Sequence, residues 1–260
     1  MKRLSTLPAP YYAEDGITIY WADSRALVPL LKEPVDLVLT DPPYDFKVSG
    51  GGMYGMPRTR GLLRSLHAIG STSFVPQPWL ASLPCSSVVA FCNKPLLEAY
   101  LQFARVNRLV FDVHVMIKTN AIPAIKHNWL PNIEYIVVMR ARGSYFNAKG
   151  RAECYRKDYL HYNSGNWSAE KHHPAEKPVA LLRRYIDVLC PEGGAVLDPY
   201  AGSGSTLVAA KECGARAIGI EREEKYCRRA VDRLRQANLP LTTGKQEPLT
   251  IAGGGALLGD

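Results

Sequence analysis

Apolar runs alternate with amphipathic stretches along most of the 260-residue chain. Largely continuous apolar runs, typical of parallel strands that are buried on both faces, occupy residues 35–40, 86–92 and 194–198. Apolar positions spaced three and four apart predict helices over residues 95–107, 177–189, 205–214 and 223–237. Strands that alternate with helices of this length indicate β-α-β units. We therefore predict an α/β fold with a doubly wound, mostly parallel sheet.

The pattern breaks in two places. Residues 45–82 are rich in Gly, Ser, Pro and Arg and predict a long mobile loop, and residues 140–173 mix basic with aromatic side chains. The tail after Pro240 contains three consecutive glycines and is expected to be disordered. These breaks divide the chain into an N-terminal extension, two halves of one domain with an insertion between them, and a tail: 1–16, 17–139, 140–173, 174–239 and 240–260.

Composition narrows the class of protein. The formal charge of +8 favours a polyanionic partner such as nucleic acid. No apolar run reaches the length of a membrane span, and the N-terminus lacks the apolar core of a signal peptide, so we expect a cytoplasmic protein. Six cysteines without a C-x-x-C pair favour reduced thiols over a zinc site or a disulfide framework. His172 and His173 have no further ligand cluster in sequence, so no metal site is predicted.

A glycine-containing turn follows the apolar run that ends at Asp198. Residues 198–206 read Asp-Pro-Tyr-Ala-Gly-Ser-Gly-Ser-Thr. Gly202 and Gly204 allow the backbone to approach a ligand closely, and Ser205 and Thr206 are predicted to cap the helix that follows. The segment therefore predicts a ligand cradle between a strand and a helix.

Two further positions narrow the choice of ligand. Glu221 ends the next predicted strand, where an acid commonly holds ribose hydroxyls in nucleoside-binding folds. A dinucleotide site would normally have a third glycine three positions after Gly204, but Leu207 stands there. This departure favours a nucleoside cofactor without a pyrophosphate. An ordinary turn of unspecified ligand is the alternative.

A second distinctive segment, Asp41-Pro42-Pro43-Tyr44, follows the apolar run 35–40. Two consecutive prolines make a rigid turn at the carboxyl end of a strand, where α/β sheets usually bind ligands. The Asp41 carboxylate and the Pro42 carbonyl can accept both hydrogens of one amino group and so direct its lone pair toward an electrophile. Tyr44 offers a face on which a planar base can stack. The alternative is a plain Asp-Pro turn.

Taken together, these segments resemble the amino-methylating DNA methyltransferases of adenine N6 and cytosine N4. The likeness is to the β arrangement, in which the catalytic segment precedes the cofactor segment. Residues 41–44 match the family's catalytic motif, and residues 198–206 match its S-adenosylmethionine loop. The resemblance covers residues 17–236 and implies a circularly permuted, Rossmann-like sheet completed by the strand predicted at 17–24. In this division 17–139 is the catalytic half and 174–239 the cofactor half.

The resemblance also implies roles for individual residues. Asp23 would contact the adenine of the cofactor, and Lys177 and Pro178 would lie beside its methionine end. Ala22 replaces a usual glycine, and Met116 replaces a usual tryptophan in the segment that runs to Pro123. The full set of cofactor candidates is Asp23, Lys177, Pro178, Asp198, Pro199, Ala201, Gly202, Ser203, Gly204, Ser205, Thr206 and Glu221.

The insertion at 140–173 corresponds to the target-recognition region of the family. Its basic side chains would bind DNA phosphates, while some polar or aromatic groups would reach base edges. The candidates are Arg140, Arg142, Lys149, Arg151, Arg156 and Lys157. A solvated surface lobe packed on its own aromatic residues is the alternative.

The function implied is site-specific transfer of a methyl group from S-adenosylmethionine to N6 of adenine, by direct attack from a flipped-out base of double-stranded DNA. Cytosine N4 is the second choice, because the Asp at position 41 is commoner among adenine enzymes. An RNA substrate, or an inactive subunit that only binds nucleic acid, is a weaker alternative. The resemblance leaves open a homodimer, a cognate restriction endonuclease, and a bacterial or phage origin.

Overall fold

The computed structural model describes residues 6–43, 80–83, 85–118, 132–147, 159–162 and 176–237. Most of the predicted loop at 45–82, most of the insertion at 140–173, and the tail at 240–260 lie outside the described residues. The described helices are α1 (Ser24–Leu27), α2 (Lys94–Val106), α3 (Val179–Leu189), α4 (Ser205–Glu212) and α5 (Glu224–Gln236), with a 3-10 turn at Val28–Leu30.

The described part of the chain forms a nine-stranded sheet in the order β1-β2-β9-β8-β3-β4-β6-β5-β7. The strands are β1 (Tyr12–Glu14), β2 (Ile17–Trp21), β3 (Leu37–Thr40), β4 (Ser87–Cys92), β5 (Val110–Lys118), β6 (Ile133–Arg140), β7 (Tyr159–Tyr162), β8 (Ala195–Asp198) and β9 (Arg216–Glu221). Five neighbouring strands, β2, β9, β8, β3 and β4, run parallel to one another. Their carboxyl ends therefore meet along one side of the sheet, called here the carboxyl edge.

Burial explains why the continuous apolar runs form the centre of the sheet. Every residue of β3, β4 and β8 is buried, as expected of parallel strands covered on both faces. Side chains of β3 alternate between two clusters: Leu37 and Leu39 pack with residues of α3, α4 and α5, and Val38 packs with residues of α1 and α2. Helices thus cover both faces, which confirms the doubly wound prediction.

The N-terminal strand completes the sheet beside its C-terminal strand. β2 pairs in parallel with β9, from Ile17 opposite Ala217 to Trp21 opposite Glu221. The chain therefore begins its parallel sheet next to the strand with which it ends. This pairing confirms the predicted circular permutation.

The sequence also predicts strands over residues 111–118 and 133–140, where β5 and β6 lie, but it did not predict β1 and β7. β1 lies within the segment predicted as an extension and pairs antiparallel with β2. The turn between them is Asp15-Gly16, and both residues have positive φ, 51° and 76°, as a type I′ hairpin turn requires. β7 lies in the insertion and pairs in parallel with β5, from Val115 opposite Tyr159.

Candidate functional site

The two sequence segments meet at adjacent strand ends on the carboxyl edge. The hydroxyl of Thr40, at the end of β3, donates a hydrogen bond of 2.9 Å to Oδ1 of Asp198, at the end of β8. The backbone N–H of Tyr200 donates to the same oxygen at 3.1 Å. Asp198 therefore joins the strand that leads into Asp41 to the turn that contains the glycines.

Asp198 is a buried carboxyl group, only 3% exposed. Burial raises its pKa to about 6, although hydrogen bonds from Thr206, Thr40 and the Tyr200 N–H oppose that rise. Asp41 nearby raises it a little further by charge repulsion. The structure thus places this predicted cofactor residue inside the protein, where it supports the site.

Asp41 forms an ion pair with the ammonium group of Lys177. The same ammonium lies 2.9 Å from Oε1 of Glu134, on β6, and 5.0 Å from the ring centre of Phe91. Burial alone would lower the pKa of Lys177, but the charges and hydrogen bonds of Asp41 and Glu134 raise it well above its ordinary value. Lys177 is therefore a buried cation between two carboxylates.

The residues after Asp41 are described only in part. Pro42 is buried and Pro43 is half-buried, in line with a rigid turn at the strand end. The Asp41 side chain keeps 19% of its surface exposed. Tyr44, predicted to stack on a base, lies outside the described residues.

Backbone hydrogen bonds fix the glycine turn to its neighbours. The N–H of Ala201 donates to the Ile220 carbonyl at 3.0 Å, and the N–H of Gly204 donates to the Ala201 carbonyl at 2.8 Å. Gly202 and Gly204 both have positive φ, 51° and 81°. A Cβ on Gly204 would lie 2.7 Å from Cβ of Ala230 on α5, so this glycine also permits close packing of two helices.

The predicted helix cap is wrong in its detail. Gly204 is the N-cap of α4, with no side-chain cap, and Ser205 and Thr206 are buried in the first turn. Their hydroxyl groups have other partners: Ser205 bonds Arg233 at 2.9 Å, and Thr206 bonds Asp198. These hydroxyl groups therefore stabilise the glycine turn, and no side chain caps the N-terminus of α4.

Two predicted acids flank the turn at the ends of β9 and β2. Oε2 of Glu221 accepts the N–H of Gly202 at 2.9 Å, and burial raises the pKa of this carboxyl group. Asp23 begins α1 as its N-cap, and its hydrogen bonds with Arg25 lower its pKa. The Ala22 N–H donates to the Glu221 carbonyl at 2.9 Å. The structure therefore brings Glu221, Asp23 and the glycine turn together.

Sequence reasoning missed Arg233, which sits on α5. Its Nη1 donates to the carbonyl of Ser203 at 3.0 Å, to the Ser203 hydroxyl at 3.1 Å and to the Ser205 hydroxyl at 2.9 Å. Its Nη2 lies 2.9 Å from Oε1 of Glu176, the residue before Lys177. One side chain thus ties the glycine turn to the segment that carries Lys177. An arginine on a strongly charged helix gives no sequence signal for this role.

Glu134 was also missed, although its position carries a weak signal. It is the second residue of β6 and is 4% exposed, within a strand that is otherwise largely apolar. A charged residue in such a strand requires a partner when buried. The sequence does not identify that partner, since Lys177 is 43 positions away.

The structure separates the first two predicted DNA contacts from Asp41. Arg140 pairs with Ser87, the first residue of β4, and β4 reaches the carboxyl edge only at Cys92. Arg140 therefore lies at the opposite edge, with its guanidinium 4.6 Å from the ring centre of Phe146. Arg142 lies there too, beside an open cavity of about 660 Å³ that Arg105 and Arg108 also line. Lys149, Arg151, Arg156 and Lys157 are outside the described residues.

Two features are absent from the described ranges. None of their helices is long and apolar enough to cross a membrane. The same ranges hold no group of three or more His, Cys, Asp or Glu side chains arranged to bind a metal ion.

Comparison with known proteins gives matches along the chain. The profile of a family described as DNA methylase, with N6 and N4 specificities in its name, matches residues 35–232. The type II methyltransferase M2.LlaDCHI of Lactococcus lactis subsp. cremoris is 26% identical over 250 residues, 86% of this chain and 91% of that protein. Type II methyltransferase M2.DpnII of Streptococcus pneumoniae is 47% identical over 66 residues, 25% of each chain. YubD of Escherichia coli (strain K12) is 44% identical over 91 residues, 35% of this chain and 40% of that protein.

Solved structures share the architecture. The M1.HpyAVI complex with S-adenosylmethionine superposes with a TM-score of 0.57 at 25% identity, over 84% of this chain and 99% of that chain. The cytosine-N4-specific PvuII DNA methyltransferase superposes with a TM-score of 0.64 at 15% identity, over 90% of both chains. At that identity the second likeness concerns the fold alone.

Proposed function

The chain belongs to the N6/N4 DNA methylase family, and from that premise we propose that it methylates N6 of adenine in double-stranded DNA, with S-adenosylmethionine as donor. The observation that carries the proposal is the hydrogen bond of 2.9 Å from Thr40 to Asp198. It fixes the candidate amino-group acceptor, Asp41, to the strand end that begins the glycine turn. Donor and acceptor sites on neighbouring parallel strands suit transfer between two bound molecules.

The residues around the glycine turn fit the cofactor chemically. Glu221 and Asp23 are carboxylates at adjacent strand ends, and carboxylates accept hydrogen bonds from ribose hydroxyl and adenine amino groups. Each carboxylate has about four acceptor positions, so Glu221 can bond a ligand and still hold the Gly202 N–H. When bound, S-adenosylmethionine supplies an electrophilic methyl group on a sulfonium. Gly202 and Gly204 keep side chains out of the turn that would receive it.

The amino group of the target base would be held at Asp41. One carboxylate oxygen, Oδ2, pairs with Lys177, and the carboxylate has acceptor capacity beyond that contact. Together with the Pro42 carbonyl it would accept both N–H bonds of the amino group. The nitrogen lone pair would then form the new N–C bond, the C–S pair would return to sulfur, and the surplus proton would leave through Asp41 to water. Because a paired base is shielded in the duplex, the base must first be flipped out.

We propose adenine and not cytosine as the target base because position 41 is Asp. As the resemblance implies, Asp at this position is commoner in the adenine enzymes of the family, whereas its cytosine-N4 enzymes often carry Ser. The pocket chemistry itself serves either base, since both present one exocyclic amino group. The choice of base is therefore the part of the proposal that experiment should address first.

The test is to incubate the full chain with S-adenosylmethionine and unmethylated bacterial DNA, then hydrolyse the DNA and separate its nucleosides by mass spectrometry. The Asp41→Ala variant, prepared in the same way, controls for contaminating activity. We expect N6-methyladenine with the wild-type chain and no methylated base with the Asp41→Ala variant. N4-methylcytosine would overturn the choice of base, and absence of any methylated base would contradict the proposal as a whole.

A further inference from the structure

Lys177 and its two carboxylate partners form a buried charge cluster, called here the acid-lysine triad (Asp41, Lys177 and Glu134). The ammonium of Lys177 contacts both acids, and Lys177 and Glu134 have only 9% and 5% of their side chains exposed. Asp41 is the most open member, at 19%. With both acids ionised, the triad carries a net charge of −1.

A lysine paired with Asp41 alone would leave the site neutral. Asp41 would then present its negative charge to a ligand only weakly, since an ammonium in direct contact offsets it. Glu134 also contacts this ammonium, at 2.9 Å, and its negative charge offsets the positive charge of Lys177. Interactions among buried charges are screened far less than those at a surface.

The proposed function places a cation next to this triad. The methyl carbon must approach the nitrogen held at Asp41 to within about 3–3.5 Å before transfer, so the sulfonium lies one bond further away. The sulfonium carries a positive charge, whereas the thioether that remains after transfer is neutral. A net negative site therefore favours the donor over its product, to an extent that depends on the charge.

We propose that Glu134 is a positioning residue that offsets the charge of Lys177, so that Asp41 stays a net negative site for the sulfonium of S-adenosylmethionine. The inference rests on the proposed function, because it needs the donor and Asp41 in one site. It assigns to β6 a part in discriminating donor from product. It also explains why an acid is buried at this position in an otherwise largely apolar strand.

The test compares a charged with a neutral ligand. Glu134→Gln keeps the shape of the side chain and an oxygen that can accept from Lys177, but removes the negative charge. Affinities of the full-length variant and wild type for S-adenosylmethionine and S-adenosylhomocysteine would be measured by isothermal titration calorimetry. We expect the affinity for S-adenosylmethionine to fall about tenfold and that for S-adenosylhomocysteine to change by about twofold or less.

Two controls separate charge from structure. Glu134→Asp keeps the charge and is expected to keep a donor-to-product affinity ratio close to that of wild type. Glu212→Gln removes one negative charge at the end of α4, where Glu212 pairs with Arg183, and should leave the ratio unchanged. Equal weakening of both ligands by Glu134→Gln would show a purely structural role and overturn the inference. Unchanged affinities for both ligands would overturn it as well.

A further variant covers the case in which Glu134→Gln does not fold. Replacing Glu134 and Lys177 together by Met exchanges a buried ion pair for apolar side chains, a change that proteins often tolerate. This double variant keeps the net charge of −1, so the donor-to-product ratio should stay near that of wild type, and a large fall would overturn the inference. If wild type binds neither ligand, the proposed function itself fails, a result distinct from any change in the ratio.

Discussion

At the residue scale, Asp198 both supports the candidate site through its hydrogen bonds and makes the stability of the fold depend on pH. Its folded carboxyl group holds its proton up to about pH 6, whereas in an unfolded chain it releases the proton near pH 4. Between these values the folded state binds more protons. The contribution of Asp198 to the unfolding free energy therefore falls as pH rises through this interval, by up to about 3 kcal/mol.

The variant Asp198→Asn should remove this dependence, since the amide keeps an oxygen acceptor for Thr40 and for the Tyr200 N–H. We expect the unfolding free energy of the variant, relative to wild type, to rise between pH 4 and pH 7. Urea denaturation of both proteins at several pH values measures the difference. A difference that stays constant across this range would show that Asp198 does not titrate as described.

At the scale of elements, helix α4 is bounded by two glycines that differ in their surroundings. Gly204 and Gly214 both have positive φ, 81° and 68°. A Cβ on Gly204 would lie 2.7 Å from Ala230, whereas a Cβ on Gly214 would have nothing within 4 Å. A comparison of substitutions at the two glycines therefore separates the cost of backbone strain from the cost of steric overlap between α4 and α5.

Alanine at Gly214 is expected to cost about 1 kcal/mol of unfolding free energy, from backbone strain alone. Alanine at Gly204 should cost about 1–3 kcal/mol more, because α5 must also shift away from the glycine turn. Urea denaturation midpoints of the two variants and wild type test this. An equal or smaller loss at Gly204 would contradict the close packing of the two helices.

Elements were predictable where the signal is local. The buried strands β3, β4 and β8 were identified because continuous apolar runs require burial on both faces. β1 was missed, although its Asp15-Gly16 turn is a strong short-range hairpin signal. β7 was missed because four residues within a basic and aromatic segment carry no strand periodicity.

Site residues follow the same division. Asp41 and the glycine turn were identified as candidates because each belongs to a contiguous motif. Glu134 and Arg233 were not, since each acts through partners that only the folded chain brings near: Lys177 for the first, and Glu176 and Ser203 for the second. Contacts between distant segments leave no spacing in the sequence from which they could be inferred.

At the scale of the whole molecule, the candidate site and two of the predicted DNA-binding arginines lie at opposite edges of the sheet. Asp41, Asp198 and Glu221 follow or end strands at the carboxyl edge, whereas Arg140 and Arg142 lie at the opposite edge. The prediction that these two arginines contact DNA was based on their place in the sequence. A duplex bound at Asp41 would have to extend around the sheet to reach them.

In the proposed function, Asp41 holds the amino group that receives the methyl group. The most direct measurement is the single-turnover rate of methyl transfer to DNA by Asp41→Ala and wild type, at saturating S-adenosylmethionine. We predict a fall of at least about 100-fold, while cofactor binding persists but is weakened at least as much as by Glu134→Gln, because Asp41 carries the negative charge nearest the sulfonium. A rate close to that of wild type would contradict the account.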